Sequence, residues 1–254
     1  MIERSINPAQ LLIFLKFIKV VGQAWAGRPP APWVASLNIP SPSTEHLSEQ
    51  PLSRSQLINL WRDKSVSTEV CFLSTMAWGG MRVNNGRLIW SAKDVWLPIC
   101  ERLRAGELQN REEAYETFRS LRLSNELPGM GPAYFTKILF FARPTQNAYI
   151  LDQWTARSIH VLTLNRTWPK VLVDSISLKR MTAQGGSARH IRATVSDHVT
   201  SSDYERYCRL VEKIALTAGM APFEVEEHMF GEGGRHPTAW RSYVMENWYA
   251  LNSN

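Results

Sequence analysis

The stretch "LPGMGPAYFTKILFFARPTQNAYILDQ", residues 127–153, decides how this chain is read. It holds a Gly-x-Gly turn, a single Lys in an aromatic run, and an Asp just ahead of another helical pattern. Gly129 and Gly131 let the backbone approach a ligand closely and adopt conformations that other residues avoid. Pro132 suits the first turn of a helix. The spacing predicts a helix over 132–142 and another that opens at Asp152 and runs to about Leu164. Backbone N–H groups at the start of the first helix then point at solvent, which suits a phosphate with no preference for base sequence. A tight helix–helix turn without a ligand is the plainer reading of the same residues.

The rest of the 254 residues sets bounds. Hydrophobic residues make up 44% and charged residues 20%, a globular rather than a disordered balance. The formal net charge is +6 and the pI about 9.4, which favours an anionic partner such as nucleic acid or a membrane surface. Cys71, Cys100 and Cys208 are far apart and form no C-x-x-C, and the six histidines form no H-x-x-x-H. No metal centre or cofactor is expected, and the sparse thiols fit a reducing cytoplasm. The run "LLIFLKFIKVVG" is broken by Lys16 and Lys19, well short of the roughly 20 residues that cross a bilayer. "GQAWAG" after it resembles a signal-cleavage site. The favoured reading is a buried amphipathic helix capped by Asn7, with Pro8 in its first turn. A cytoplasmic monomer without a membrane partner is the expectation.

Helical signals dominate the chain. Residues 27–56 are rich in Pro and Ser and read as a long irregular connection. Helical periodicity follows in "RSQLINLWRDK" and "TEVCFLSTMAW", with Gly79 and Gly80 ending the second. "AKDVWLPICERLRAG" is a helix in which Pro98 places a kink or boundary. Asn110 and Glu113 form a capping-box pattern ahead of "REEAYETFRSLRL". Residues 170–198 break the pattern, being β-branched, then Gly-containing and basic; they read as extended segments with a mobile loop. Three helices over about 202–218, 222–230 and 237–250 complete the chain. The expected fold is all-α with one irregular insertion near 170–198. The expected divisions are 1–64, an N-terminal helix and connection packing on the C-terminal lobe; 65–150, a helical lobe with the hairpin; and 151–254, a C-terminal helical lobe with a basic loop.

"LPGMGP", a helix, a short loop and "ILDQWTAR" resemble the helix-hairpin-helix DNA glycosylase superfamily. Leu127, Pro128, Gly129, Gly131, Asp152 and Arg157 stand at its motif positions. The spacing from hairpin to Asp152 is similar to that of the 8-oxoguanine glycosylase branch. The motif covers some 30 residues, and the helical order around it is compatible with the family. The resemblance implies a two-lobed fold, DNA as partner, a flipped nucleotide and an essential Asp152. The departures are specific. Gln153 and Trp154 replace the usual Thr-His or Val-His, and Phe135 replaces a small residue. Ala133 stands where bifunctional relatives carry a nucleophilic Lys, and Lys137 follows one turn later on the same helix face. In the 8-oxoguanine enzymes that later position lines the base pocket.

The chemistry gives reasons for both residue types. Breaking an N-glycosidic bond builds positive charge on the sugar, which a nearby carboxylate stabilises. A partly desolvated Lys amine can attack C1′ and form a Schiff base. The plainer alternatives are a simple N-cap for Asp152 and a snorkelling surface Lys137. Gln153 and Trp154 are candidates for the base pocket. Gly129, Met130 and Gly131 are candidates for DNA contact, as are Asn84 and Asn85 in "WGGMRVNNG", where the related enzymes place an Asn-rich turn; a simple Asn-Gly turn fits equally. Lys179, Arg180, Arg189, His190 and Arg192 form a basic loop that can track phosphates or lie solvated. The reading is a DNA glycosylase acting on a modified base: 8-oxoguanine in repair, or a hypermodified phage base, as the prokaryotic antiviral relatives remove. The rival is a helix-hairpin-helix module that binds DNA without catalysis.

Overall fold

The structure, a computed structural model, describes residues 6–18, 25–40, 45–145, 147–164, 172–181, 187–231 and 238–252. For 175–181, 187–192 and 249–252 the backbone alone is described. The basic side chains Lys179, Arg180, Arg189, His190 and Arg192, the first half of the "GQAWAG" stretch, and Pro237 therefore lie outside the described residues.

Among the described residues the chain forms α1 (Pro8–Phe17), α2 (Pro30–Leu37), α3 (Arg54–Arg62), α4 (Thr68–Trp78), α5 (Val83–Ser91), α6 (Lys93–Ala105) and α7 (Arg111–Leu123). Then come α8 (Pro132–Ala142), α9 (Gln153–Thr163), the strands β1 (Val173–Met181) and β2 (Ser187–Val195), and α10 (Ser201–Ala218), α11 (Pro222–Phe230) and α12 (Ala239–Asn252). Over the described residues the fold is all-α with one two-stranded antiparallel sheet. No described helix is long and apolar enough to cross a membrane.

Local chemistry starts most helices. Asn7 Oδ1 accepts from the Ala9 and Gln10 amides at 3.0 and 3.1 Å, and Pro8 holds the first turn of α1. Ser53 and Gln56 close a reciprocal capping box on α3. Asn110 caps α7 through the amides of Glu112 and Glu113, without the expected return bond from the Glu113 side chain.

The organising element is α8. From Phe135 to Ala142 every residue is buried, and the helix packs on α3, α4, α6 and α7. An apolar face all round marks a helix enclosed by its neighbours. Phe135 stacks on Phe118 at 5.7 Å and meets Tyr115 edge-on at 5.0 Å. A large ring here sets how α7 and α8 meet. A second group of helices surrounds α9, with α11, α12 and α1 against it and α10 beyond α11.

Four expectations are corrected. The Pro-rich stretch 27–56 is not wholly irregular, because α2 forms inside it. Pro30 sits in its first turn, where no N–H bond is lost, and Trp33, Val34 and Leu37 are buried. Pro98 neither ends nor divides α6; the boundary falls at Ala92, ahead of that helix. "VNNG" is no turn: Asn84 and Asn85 lie in the first turn of α5, with Arg82 as N-cap. The insertion has the expected extended segments but is not irregular: they pair in register as a ribbon, Val173 opposite Val195 through to Met181 opposite Ser187.

Candidate active site

A cavity of about 920 Å³ opens where the Gly turn, the first turns of α8 and α9, and the root of the β ribbon meet. Asp152 and Lys137 both line it, with Gly79, Tyr134, Trp154 and Met245 around them.

Asp152 is the N-cap of α9 and only 7% exposed. Its Oδ1 accepts from the Trp154 and Thr155 amides at 2.7 and 3.0 Å. The Thr155 hydroxyl in turn accepts from the Asp152 amide at 2.9 Å and donates to the Ile150 carbonyl at 3.0 Å. One carboxylate oxygen thus fixes the side chain on the helix end, whose dipole favours its negative charge. The other, Oδ2, has no hydrogen bond among the described residues. The plain N-cap reading is true of this residue and accounts for Oδ1 alone.

Lys137 does not snorkel; it is 3% exposed. Its Nζ donates to the Ala133 carbonyl one turn back, and lies 5.7 Å from the Tyr134 ring centroid. Burial lowers its pKa below the ordinary value, against the pull of the Asp152 and Glu226 carboxylates, while Arg54 lowers it further. Gly79, the C-cap of α4, makes room for the stem: a Cβ there would stand 2.9 Å from Lys137 Cδ. Gly79→Ala should therefore fold, since the obstructing group is a flexible side chain, but displace the amine. A misplacement of about 1 Å costs on the order of 100-fold in rate. Single-turnover base release and the melting temperature, measured together, check this; unchanged release would show that the amine's position is immaterial.

Behind the cavity, Arg54 of α3 pairs with Glu226 of α11, both buried. Arg54 also lies over the Phe140 and Trp78 rings, at 4.8 and 5.7 Å. Burial pushes Glu226 up to about 7 in spite of its partner.

Trp154 is held by cations. The Arg241 guanidinium lies 3.7 Å from its ring centroid and that of Arg157 at 4.9 Å. Arg157 also donates to Gln153 Oε1 at 3.3 Å, which ties Gln153 to the same group. Arg241 is 5% exposed, and its Nε and Nη1 find no acceptor among the described residues.

At the turn, Gly129 has φ +79° and packs so closely on Asn85 that a Cβ would meet its Cα and carbonyl oxygen at 3.2 Å. Both facts require glycine. Asn85 is thus beside the hairpin and lines the cavity, whereas Asn84 is exposed and does not line it. The Met130 side chain is fully buried and its amide donates to the Leu127 carbonyl, so neither offers a contact to DNA. The Gly129 and Gly131 amides make no hydrogen bond among the described residues, and α8 has no side-chain cap. Arg122 pairs with Asp197 at 2.9 Å on the cavity rim.

Sequence reading missed Gly79, Arg82, Arg122, Asp197, Arg241 and Met245. The Gly-Gly pair after α4 was the one local signal; the others reach the site from remote parts of the chain. Among the described residues, no three His, Cys, Asp or Glu side chains gather in a way that could hold a metal ion.

Comparison with known proteins bears on this site. A family model with the description "Putative 8-oxoguanine DNA glycosylase OGG-like protein" matches residues 18–230. No curated protein and no solved structure gives a significant match.

Proposed function

As the chain belongs to this OGG-like family, we propose that it flips a modified nucleotide out of duplex DNA and excises its base. The observation that carries the reading is the pairing of Asp152 and Lys137 in one cavity at the foot of the Gly turn. The free amides of Gly129 and Gly131, at the uncapped start of α8, suit a phosphate of the strand being held. Flipping brings the sugar to the carboxylate and the base into the cavity.

The C1′–N bond breaks with its electron pair passing to the base nitrogen, which then takes up a proton. Positive charge on the sugar is met by Asp152. The neutral Lys137 amine attacks C1′ and gives up a proton; the C1′–O4′ bond then breaks with its electron pair passing to O4′, which takes up a proton, and leaves a Schiff base from which strand cleavage can follow. A lowered pKa raises the neutral fraction that such an attack needs.

This mechanism predicts that borohydride traps a covalent protein–DNA adduct, and that Lys137→Gln reduces it by at least ~10-fold. Trapping should rise with pH, with a midpoint below the ordinary lysine value of 10.5. An undiminished adduct from the variant would assign the chemistry to another amine.

The preferred substrate is a base larger than guanine, and the role is defence against DNA carrying it. A cavity of about 920 Å³ is at the upper end for sites holding drug-sized ligands. Trp154, in place of the relatives' His, presents a large ring there. The family description favours a second substrate, 8-oxoguanine, and a role in repair. The protein is proposed to act as a cytoplasmic monomer. Duplexes bearing 8-oxoguanine, or pyrimidines with bulky 5-substituents, would be incubated with the protein and the released base identified by mass spectrometry. Release from the substituted pyrimidines alone supports defence, and release of 8-oxoguanine alone supports repair. Tight binding without release from any of them would return the chain to a non-catalytic DNA-binding role.

A further inference from the structure

We infer that the β1–β2 ribbon lies in the major groove of the duplex beside the flipped nucleotide, and so extends the DNA interface well beyond the Gly turn. The inference rests on the glycosylase reading and adds a surface to it.

The ribbon is rooted at the cavity. Leu172, Val173, Ala193 and Val195 are buried, and the Ser196 amide closes the root by donating to the Leu172 carbonyl at 3.1 Å. Ala193, Thr194 and Val195 form part of the cavity wall, and β2 packs on α8 and α9. DNA that delivers a nucleotide to Asp152 must therefore pass the root of the ribbon. From there the ladder runs without a break to Met181 opposite Ser187. At about 3.3 Å per residue it spans roughly 30 Å, close to one turn of duplex.

Its charge is one-sided. Between Ser175 and Arg192 the sequence carries Lys179, Arg180, Arg189, Arg192 and His190, and neither Asp nor Glu. The register sets Lys179 directly opposite Arg189. Like charges opposite each other destabilise an antiparallel pair, and a two-stranded ribbon is marginal on its own. A polyanion alongside removes that cost. Two strands about 4.8 Å apart fit a groove about 12 Å wide and not one of about 6 Å. Basic residues also protect sheet edges from aggregation, which is the competing reason for this pattern.

The test is full-length protein with Lys179, Arg180, Arg189 and Arg192 all changed to Gln, its fold checked by circular dichroism. Binding to duplex is measured against salt, and guanine N7 protection is mapped with dimethyl sulfate. Loss of up to four phosphate contacts should flatten the slope of log K against log salt by about 3 and weaken binding ~10–100-fold near physiological salt. Protection of guanines on one side of the target should vanish. A folded variant with the wild-type slope and protection pattern would overturn the inference, as would one that aggregates while binding DNA unchanged. Should the variant misfold, Lys179→Gln with Arg180→Gln alone is expected to lower the slope by about 1–2, and no change there would equally overturn it. Failure of the glycosylase reading looks different: the unaltered protein would then release no base, whatever its footprint.

Discussion

Asp152→Asn is expected to reduce base release by about 100- to 1,000-fold or more, while DNA affinity stays within a few-fold of the unaltered protein. The variant separates the two jobs of this side chain. As an N-cap, Asp152 uses only Oδ1, accepting from the amides of Trp154 and Thr155. An Asn carbonyl can accept the same two bonds, and Asn ranks with Asp as a capping residue. The helix start, and Trp154 with it, should therefore hold. What is lost is the charge that meets a cationic sugar, and that charge matters in the transition state rather than in the bound ground state. A stability loss with normal release on a verified substrate would make Asp152 a cap and nothing more. Single-turnover kinetics beside a binding isotherm distinguishes the outcomes.

The sequence revealed this site unevenly, and the reason is the range of the interactions. The bounds of α8 and the capping role of Asp152 are written locally, in Pro132 at a first turn and in an acceptor two and three residues ahead of the amides it binds. Burial of Lys137 is not local. It depends on Gly79 in another element leaving space for the stem, and no pattern within "AYFTKILFF" reports that. The residues that steady Trp154 come from α9 itself and from α12, nearly ninety positions on, so only Arg157 was within reach of a motif. The α2 segment misleads in the opposite way, because its prolines advertise irregular chain but occupy a helix's first turn. For the insertion, β-branched residues signalled extended chain, yet the register needed the whole ladder to be seen.

Arg54→Met is expected to be among the most destabilising single changes, at about 3–5 kcal/mol, because it strands Glu226 in the core. Arg54 and Glu226 are 5% and 0% exposed, and the pair joins α3 to α11 across the back of α8. For a chain of this size the melting temperature should fall by roughly 2–4 °C per kcal/mol. The defect should depend on pH, and its sign follows from Glu226. Burial raises the folded-state pKa to about 7 from an ordinary 4.5, so the native state holds the proton more tightly than the unfolded chain does. The stability due to that proton is complete below about 4.5 and is lost as pH rises through about 7. Without Arg54 the carboxyl is harder still to ionise, so the variant's deficit should stay level from pH 5 to about pH 7, where both proteins hold the proton, and then grow by up to about 1.4 kcal/mol by pH 8, where the unaltered protein ionises and the variant does not. Arg54→Met with Glu226→Leu should recover most of the loss at high pH, since a buried pair replaced by apolar groups of similar size is often near neutral. Chemical denaturation of the single and double variants at both pH values checks the claim. A deficit in Arg54→Met that ignores pH would mean that the cation's packing on Phe140 and Trp78, not its charge, carries its contribution.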